Sequence, residues 1–462
     1  MQLSHMFPVR SVGFDDPNLV SAAGLVPAMR LAERCGLHQL SVDTLTLSGT
    51  GAANPAAKVG CLVAGMVAGA DSIDDMDLLR HGGMSRLFDQ VRAPSTLGTF
   101  LRSFTFGHVR QLDKVAAGLL ISLTAHTPLL RGVEQVCFVD IDDTIKKTYG
   151  YAKQGAGYGY SGVKGINALI GTISTPLSAP VVAATRLRKG SSNSARGAAR
   201  LVADTLKTAG SIGAGTGAGL VVLRADSAYY TADVVAAAHR GGARVSITAR
   251  MGPSVARAIG SIPDDAWIPI HYPNAVWDDD EQRLISDAEV AEVGFVAFTS
   301  RPRHQQAHGR LIVRRVKRLN PIEGQDELFT AWRYHAVFTD TSLSMLQAET
   351  THRQHAVIEQ VIADLKDGAL AHLPSGKFTA NAAWLVCAAM AFNLTRATGT
   401  LASTFHAKAT TATIRRHLIT VAARIARSAR RTVLHLPRDW PWATAWTQLF
   451  DTCSRPPPLA SN

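Results

Sequence analysis

The chain has 462 residues, which is long enough for two or three domains with a sizeable core. Its 48 Lys and Arg residues outnumber 36 Asp and Glu residues, so the net charge is +12 and favours a polyanionic partner. The 5 cysteines are scattered and contain no C-x-x-C pair, which excludes a disulfide framework and a cysteine zinc site and fits a reducing cytoplasm.

The sequence pattern predicts neither a membrane span nor a secretion signal. The best apolar run, residues 384–392, is shorter than the roughly 18 residues that a membrane-spanning helix needs. The first residues carry no basic segment followed by an apolar core. We therefore expect a cytoplasmic protein without a membrane partner.

The first 130 residues have the pattern of helices. Apolar residues recur at three- and four-residue spacing in four segments, interrupted by Gly and Pro: 20–35, 55–69, 85–91 and 109–120. Short helices between such breaks are compatible with a helix-turn-helix DNA reader and equally with a plain helical packing domain. We predict a helical, DNA-binding N-terminal domain over residues 1–130.

An acidic strand follows at residues 136–144. Four apolar residues lead into Asp140, Asp142, Asp143 and Thr144, which is typical of a buried strand that ends at a site. Because strand side chains alternate, Asp140 and Asp142 share a face and Asp143 points the other way. Two like charges on one face need a proton or a cation, and a divalent metal is the simplest cation. The alternative is a strand end that opens into a solvated acidic turn.

The segment 131–250 predicts alternating strands and helices. Strands are predicted at 163–174, 180–188, 220–225 and 243–249, and helices at 194–208 and 231–240, with Ser191 and Ser192 as candidate caps of the first helix. Together with the acidic strand, the order is three strands, helix, strand, helix, strand. This order predicts an antiparallel meander followed by two parallel strands, the mixed five-stranded sheet of a ribonuclease-H-like α/β fold.

Residues 251–345 interrupt this pattern and predict a β-rich insertion. Strand-like runs occur at 310–318 and 332–339. The first run alternates apolar residues with Arg314, Arg315, Lys317 and Arg318, which suits a strand that presents one face to phosphates. The alternative is an ordinary solvated basic face.

Two further acidic positions complete the pattern. Asp226 ends the fourth predicted strand, where ligands of open α/β sheets collect, although it could also cap the following helix. Residues 350–368 predict one helix, capped by Thr350 or Thr351, with Ile358, Ile362 and Leu365 as its apolar stripe. The polar residues of this helix fall on a neighbouring stripe: His352, His355, Glu359 and Lys366. We assign residues 346–400 to the second part of the α/β core that begins at residue 131.

These motifs together resemble the DDE transposases of bacterial insertion sequences, most closely insertion-sequence family thirteen-eighty. The resemblance rests on a D-x-D-x-T strand from Asp140 to Thr144, an R-x-D-S strand end from Arg224 to Ser227, the late Glu359, the run 384–394 and the tail 434–442. The wider group has a Y-x2-R-x3-E-x6-K signature on the glutamate helix. Here His352 and His355 replace Tyr and Arg.

The resemblance implies an activity and a set of site residues. Asp142, Asp226 and Glu359 would hold two Mg²⁺ ions, with Mn²⁺ as a substitute and Asp140 as a further candidate ligand, for DNA strand cleavage and strand transfer. The implied partners are the terminal inverted repeats of the element and target DNA, bound by a homodimer in the synaptic complex at the bacterial nucleoid. The implied DNA contacts are Lys366, His355, His352, Arg353, Arg314, Arg315, Lys317 and Arg318.

The basic C-terminal region, 401–462, is predicted to continue as a helix. Arg415, Arg416, Arg424, Arg427, Arg430 and Arg431 would face away from an apolar side made by Ile414, Leu418, Val421 and Ile425. Contact with the DNA backbone, a dimer surface and a solvated helix all fit this pattern.

Two other classes of protein compete with the transposase. The D-x-D-x-T strand is similar to the first motif of haloacid-dehalogenase-like phosphatases, with Asp140 as nucleophile and Asp142 as general acid and base. Those enzymes also need a G-D-x-x-x-D strand end, and Asp226 has no partner at that spacing. The third class is a DNA-binding protein with an inactive nuclease fold, which would tolerate loss of the acidic residues.

Overall fold

The structure is a computed structural model. It describes residues 10–49, 51–149, 152–159, 162–270, 277–278, 283–284, 288–317, 332–428 and 431–455. A large mixed sheet of ten strands runs through the molecule, and helices pack against it. The prediction of a mixed α/β fold is confirmed.

The N-terminal region is helical, as predicted. Its elements are β1 Leu19–Val20, α1 Leu25–Arg34, α2 Leu37–Thr44, α3 Pro55–Ala68, α4 Met84–Leu87, α5 Pro94–Arg102 and α6 Phe106–His126. The helix predicted over 85–91 is wrong in extent. It ends at Leu87 because Phe88 is extended and Gln90 has a positive φ of 58°.

The central region forms the five predicted strands, with the predicted antiparallel and parallel pairing, and one further short strand. Its elements are β2 Val136–Lys147, β3 Gly157–Tyr158, β4 Lys164–Thr175, β5 Ser178–Lys189, α7 Ala198–Ile212, β6 Leu220–Ala225, α8 Ala232–Arg240 and β7 Arg244–Thr248. Strands β2, β4 and β5 form an antiparallel meander, and β2, β6 and β7 pair in parallel. Helix α7 begins after Gly197, not at the predicted serine caps.

Of the six inserted strands in the described residues, four extend the same sheet and two form a separate antiparallel pair. The elements are α9 Pro253–Gly260, β8 Ile268–Ile270, β9 Trp277–Asp278, β10 Arg283–Leu284, β11 Ala288–Ala297, β12 Ala307–Lys317 and β13 Trp332–Thr339. Strand β13 pairs antiparallel with β7, and β12, β11 and β8 follow it outward. The insertion therefore continues the central sheet and is joined to it by backbone hydrogen bonds.

The C-terminal region begins with a broken helix. The elements are α10 Met345–Arg353, α11 Val357–Lys366, α12 Phe378–Ala402, α13 Thr404–Lys408, α14 Thr411–Ile414, β14 Ala423–Ser428, β15 Arg431–His435 and α15 Ala443–Ser454. The prediction of one helix over 350–368 is wrong. The first part starts earlier, in a capping box made by Ser344 and Gln347, and a 3-10 turn at Gln354–Ala356 separates it from α11.

Helix α12 forms the centre of the molecule. By length and composition alone it could cross a membrane, but 89% of its most apolar stretch is buried inside the protein. It packs against α3, α6 and β5, and the side chain of Asn393 on α12 pairs with both backbone groups of Val182, at 2.8 and 2.7 Å. The apolar run 384–392 is thus part of a buried core helix that is longer than its sequence pattern indicated.

The predicted basic helix of the tail is wrong. Residues Arg415–Ile419 form a short π-helical turn, and the chain then forms the hairpin β14–β15, to which β1 adds a third strand. Val421, Ala423 and Ile425 are buried while Arg424 is exposed, so the apolar spacing is that of a strand. Val421 and Ile425 are four residues apart, and this spacing fits one face of a strand as well as one face of a helix.

Candidate active site

Two of the predicted acidic residues meet at the end of a parallel strand pair. In the register of β2 and β6, Asp140 lies opposite Arg224 and Ile141 lies opposite Ala225. The next residue on each side is a carboxylate, Asp142 and Asp226. The strand β2 continues through the acids to Lys147, so the alternative of a solvated acidic turn is wrong.

The two carboxylates have a raised affinity for protons. Burial raises the pKa of Asp142 to about 6, with further contributions from the negative charges of Asp226 and Asp143. The pKa of Asp226 is raised as well, first by partial desolvation, although its side chain is exposed. One oxygen of Asp226 accepts a hydrogen bond from the Ala228 backbone N–H at 2.9 Å, so it also caps a short 3-10 helix.

This carboxylate pair fits a divalent cation. Hard cations prefer carboxylate oxygens, and a cation would offset both the burial and the repulsion that raise the pKa of Asp142. Within the ranges that the structure describes, no group of three or more His, Cys, Asp or Glu side chains is placed to hold a metal ion. Asp142 and Asp226 therefore follow paired positions of neighbouring strands, and Glu359 is not grouped with them.

Asp140 is engaged inside the protein. It is 0% exposed, and its two oxygens accept hydrogen bonds from Nε and Nη2 of Arg224 at 2.7 and 2.8 Å. The Nδ1 of His355 lies 2.9 Å from the first oxygen. Burial alone would raise the pKa of Asp140, but the charge of Arg224 and these hydrogen bonds outweigh it and hold the pKa below its usual value. The structure thus favours Asp142 over Asp140 as a metal ligand.

Asp143 belongs to a second buried network that the sequence pattern did not reveal. One oxygen accepts hydrogen bonds from Asn167 and from Nη2 of Arg188, the latter at 2.7 Å, and the other accepts the hydroxyl of Tyr229 at 2.7 Å. Tyr229 lies three residues after Asp226, so this bond ties the loop that carries Asp226 back to β2. Aromatic and basic residues near the motifs were the only sequence signal for these partners.

Glu359 lies in the first turn of α11 and is exposed. The predicted apolar stripe is confirmed, since Ile358, Ile362 and Leu365 are buried, and α11 packs against β2. His355, four residues before Glu359, bonds to Asp140, and a proton on its ring would oppose the effect of burial, which raises the pKa of Asp142 and of Asp226. The start of α11 therefore lies near the acidic pair, but among the described residues Glu359 does not form a metal-binding group with it.

The far end of α11 lies beside a lysine that the sequence analysis did not single out. Lys146 on β2 has a lowered pKa, caused first by partial burial and then by the positive charge of Lys366, while Asp71 acts in the opposite direction. Lys146 shares its strand face with Asp142. Along both elements the acidic residue comes first and the lysine follows. Asp142 precedes Lys146 on β2, and Glu359 precedes Lys366 on α11.

His352 and Arg353 are bound within the protein. His352 lies 3.1 Å from the Ser246 hydroxyl and 3.0 Å from the Thr248 hydroxyl, both on β7. Burial, and then the charge of His355, lowers the pKa of His352 to about 3. The Nε of Arg353 lies 2.7 Å from a carboxylate oxygen of Glu349. Their roles in DNA binding stay predictions.

The buried imidazole of His352 predicts a dependence of stability on pH. The unfolded chain binds a proton at His352 below pH 6.5, and the folded chain does so only near pH 3, so the free energy of unfolding falls as the pH drops through this window. Between pH 6.5 and pH 5 the contribution is about 2 kcal/mol. Urea unfolding at both pH values should show a smaller loss for His352→Gln than for the unsubstituted protein. Equal losses would contradict a neutral buried His352.

The basic residues of β12 are largely paired within the chain. The Nε of Arg315 lies 2.5 Å from Glu289, and its guanidinium stacks between Trp267 and Trp332, at 4.2 and 4.4 Å from the ring centres. Arg314 lies 4.0 Å from Glu349. Lys317 is the last residue of β12, and Arg318 lies outside the described residues. Phosphate contact by these four residues stays a prediction.

Comparisons with known proteins identify one family. The profile described as Transposase DDE domain group 1 matches residues 8–457. No curated protein sequence matches the chain. A similar solved structure is the cryo-EM structure of the piggyBac transposase synaptic complex with hairpin DNA, which is 9% identical, with 84% of this chain and 76% of that chain covered and a TM-score of 0.40.

Proposed function

The chain belongs to the family Transposase DDE domain group 1, and on that premise we propose that it cuts and joins DNA at the ends of an insertion sequence of family thirteen-eighty. The observation that carries the proposal is the placement of Asp142 and Asp226 directly after paired positions of neighbouring parallel strands. The strand order β5, β4, β2, β6, β7 supports a ribonuclease-H-like core for this site. The cytoplasm of a bacterium, at the nucleoid, is the proposed location.

The chemistry that we propose is transfer of a phosphoryl group between DNA strands. Divalent ions, Mg²⁺ or Mn²⁺, bound by Asp142, Asp226 and Glu359 would activate the attacking oxygen and stabilise the leaving oxygen. Asp142 must be ionised to bind a cation, and with a pKa of about 6 it is mostly ionised at neutral pH. Asp226 presents its exposed carboxylate towards solvent, where a DNA strand has access. Glu359 is exposed in the first turn of α11, so movement of its side chain or of α11 towards the pair would complete the triad.

The phosphatase alternative is not supported by the surroundings of Asp140. A nucleophilic aspartate must reach the phosphorus atom of its substrate, but Asp140 is 0% exposed and both of its oxygens are bonded to Arg224. Opening this pair would leave charges buried without partners, which is costly. Asp140 is therefore placed as a structural carboxylate.

We propose that Lys146 and Lys366 contact a phosphate of the bound strand. They lie at the end of β2 and α11 away from the acids, and in the part of the chain that the structure describes neither forms an ion pair. Two such neighbouring cations favour an anion between them, and the carboxylate of Asp71 offsets only part of their charge. Such an anion would lie in line with the acidic pair along β2.

Replacing Lys146 by Ala should weaken DNA binding and should also make the DNA affinity less dependent on salt concentration. Loss of one phosphate contact lowers the slope of log affinity against log salt by about 0.9. Fluorescence anisotropy with an end oligonucleotide at several salt concentrations measures this slope. Lys207→Ala, which removes an exposed lysine on α7, should leave it unchanged. An unchanged slope for Lys146→Ala would place the DNA path elsewhere.

The proposed function is tested with DNA that carries the inverted repeats flanking the gene. We expect purified protein with Mg²⁺ or Mn²⁺ to nick these ends and to join the freed 3′-hydroxyl to target DNA. Cross-linking or light scattering of the DNA complex should show two copies of the chain. Binding without cleavage would favour a protein with an inactive nuclease fold, and hydrolysis of small phosphomonoesters without nicking would favour a phosphatase.

A further inference from the structure

Three residues outside the proposed triad are each placed at a short, fixed distance before one of its members. Asp140 precedes Asp142 by two residues on β2, and Arg224 precedes Asp226 by two residues at the end of β6. Residues two apart on a strand lie on the same face. His355 precedes Glu359 by four residues, which is one helical turn.

These three residues contact one another in the core. Arg224 donates two hydrogen bonds to the carboxylate of Asp140, at 2.7 and 2.8 Å, and a third from Nη1 to the backbone carbonyl of Thr351, at 2.8 Å. His355 bonds to Asp140 at 2.9 Å. The guanidinium also lies over the ring of Phe138, 4.1 Å from its centre. One buried cluster therefore joins β2, β6 and the segment that leads into α11.

From these contacts we infer that Asp140, Arg224 and His355 form a positioning cluster, which sets the placement of Asp142, Asp226 and Glu359 relative to one another. The inference rests on the proposed function, because it assigns the cluster to that site. The two parallel bonds between Arg224 and Asp140 fix the planes of both groups across β2 and β6. Asp140 and Arg224 are 0% and 1% exposed, so neither side chain is open to a DNA strand.

The cluster matters most where the glutamate helix is broken. The 3-10 turn at Gln354–Ala356 interrupts the regular hydrogen bonds between α10 and α11, so the direction of α11 depends on contacts outside the helix. Thr351 before the turn is held by Arg224, and His355 within the turn is held by Asp140. These bonds set the start of α11, and Glu359 follows within one turn.

His355 is the member that can be replaced with least damage to the core. Its side chain is 14% exposed, and its removal leaves the bonds between Asp140 and Arg224 intact. His239 on α8 offers a matched control, because it also bonds to an aspartate, Asp340 at 2.8 Å, and lies outside the cluster. His355→Asn is a conservative variant whose side-chain amide can donate to Asp140 from near the position of Nδ1.

The experiment uses the full-length protein bound to an end oligonucleotide. It measures the affinity for Mn²⁺ by electron paramagnetic resonance, the nicking rate against Mn²⁺ concentration, the DNA affinity and the thermal midpoint. For His355→Ala we expect a loss of Mn²⁺ affinity and nicking of about 10- to 100-fold, the effect typical of groups that orient metal ligands, with DNA affinity unchanged. His355→Asn should recover most of this loss. His239→Ala should lower the thermal midpoint and leave the Mn²⁺ affinity unchanged.

Each other outcome has a definite meaning. If both alanine variants lower the thermal midpoint and neither changes Mn²⁺ affinity, the cluster only stabilises the fold and the inference is wrong. If His355→Ala loses DNA affinity with unchanged Mn²⁺ affinity, His355 contacts phosphate and the inference is also wrong. If the unsubstituted protein neither nicks the ends nor binds Mn²⁺ there, the proposed function fails, and the positioning role fails with it.

Discussion

Asp226→Asn is expected to abolish DNA cleavage while leaving the fold and DNA binding intact. The substitution removes one charge from the acidic pair, and the loss of several kcal/mol of transition-state stabilisation corresponds to a decrease in rate of about 10³-fold or more. The structure indicates that this substitution should leave the local fold unchanged. Asn keeps an oxygen that can accept the hydrogen bond from the Ala228 N–H, so the cap of the short 3-10 helix is retained.

The measurement is nicking and joining of a labelled end oligonucleotide, with DNA affinity followed by anisotropy. Asp233→Asn provides the control, since Asp233 is an exposed aspartate in the first turn of α8, seven residues further along the chain. The Asp233→Asn variant should cleave the DNA at the normal rate. Retained cleavage by Asp226→Asn would remove Asp226 from the catalytic centre and leave the proposed triad without its second member.

Glu359→Gln tests a different property of the same site. Glu359 is exposed and, among the described residues, is not grouped with the acidic pair, so its contribution depends on movement towards that pair when DNA binds.

The acidic pair was predictable because each carboxylate follows an apolar strand, and the parallel pairing of those strands brings their ends together. The placement of Glu359 was not predictable in the same way, because it depends on the break in its helix.

Pairings between distant residues account for most of what the sequence could not predict. A D-x-D motif leaves open which aspartate binds the metal, and the answer depends on Arg224, which is 84 positions away from Asp140. The pattern contained Arg224 as part of R-x-D-S but gave no reason to join it to Asp140. Similarly, the basic pattern around Arg315 gives no indication that Glu289 and two tryptophans contact it.

Local patterns failed where two periods coincide. Ile414, Leu418, Val421 and Ile425 have helical spacing, yet the last two belong to a run that alternates and pairs as a strand. The helix predicted over 350–368 failed for a related reason, since every residue of 354–356 tolerates a helical conformation. The break follows from contacts of Thr351 and His355 with the buried cluster, which lie far away in the sequence.

The second large effect is expected for Arg224→Met, which should lower the free energy of unfolding by about 3–5 kcal/mol because it leaves a buried carboxylate without its main partner. Arg224 is 1% exposed and Asp140 is 0% exposed, so water cannot replace the lost bonds without opening the core. Urea unfolding followed by circular dichroism at neutral pH measures the loss. A decrease below about 1 kcal/mol would show that Asp140 is solvated or neutral in the folded protein.

The double variant Asp140→Leu/Arg224→Met separates stability from placement of the active site. Replacing a buried ion pair by apolar residues of similar size is often neutral or stabilising, so most of the lost free energy of unfolding should return. Cleavage should not return with it, because the apolar pair holds neither Thr351 nor His355 at the start of the glutamate helix. If the double variant folds normally and also cuts DNA at the normal rate, the directional bonds of the pair contribute nothing to the site. If the double variant is stable but cleaves DNA slowly, the bonds between Arg224 and Asp140 act by arranging the three acidic residues.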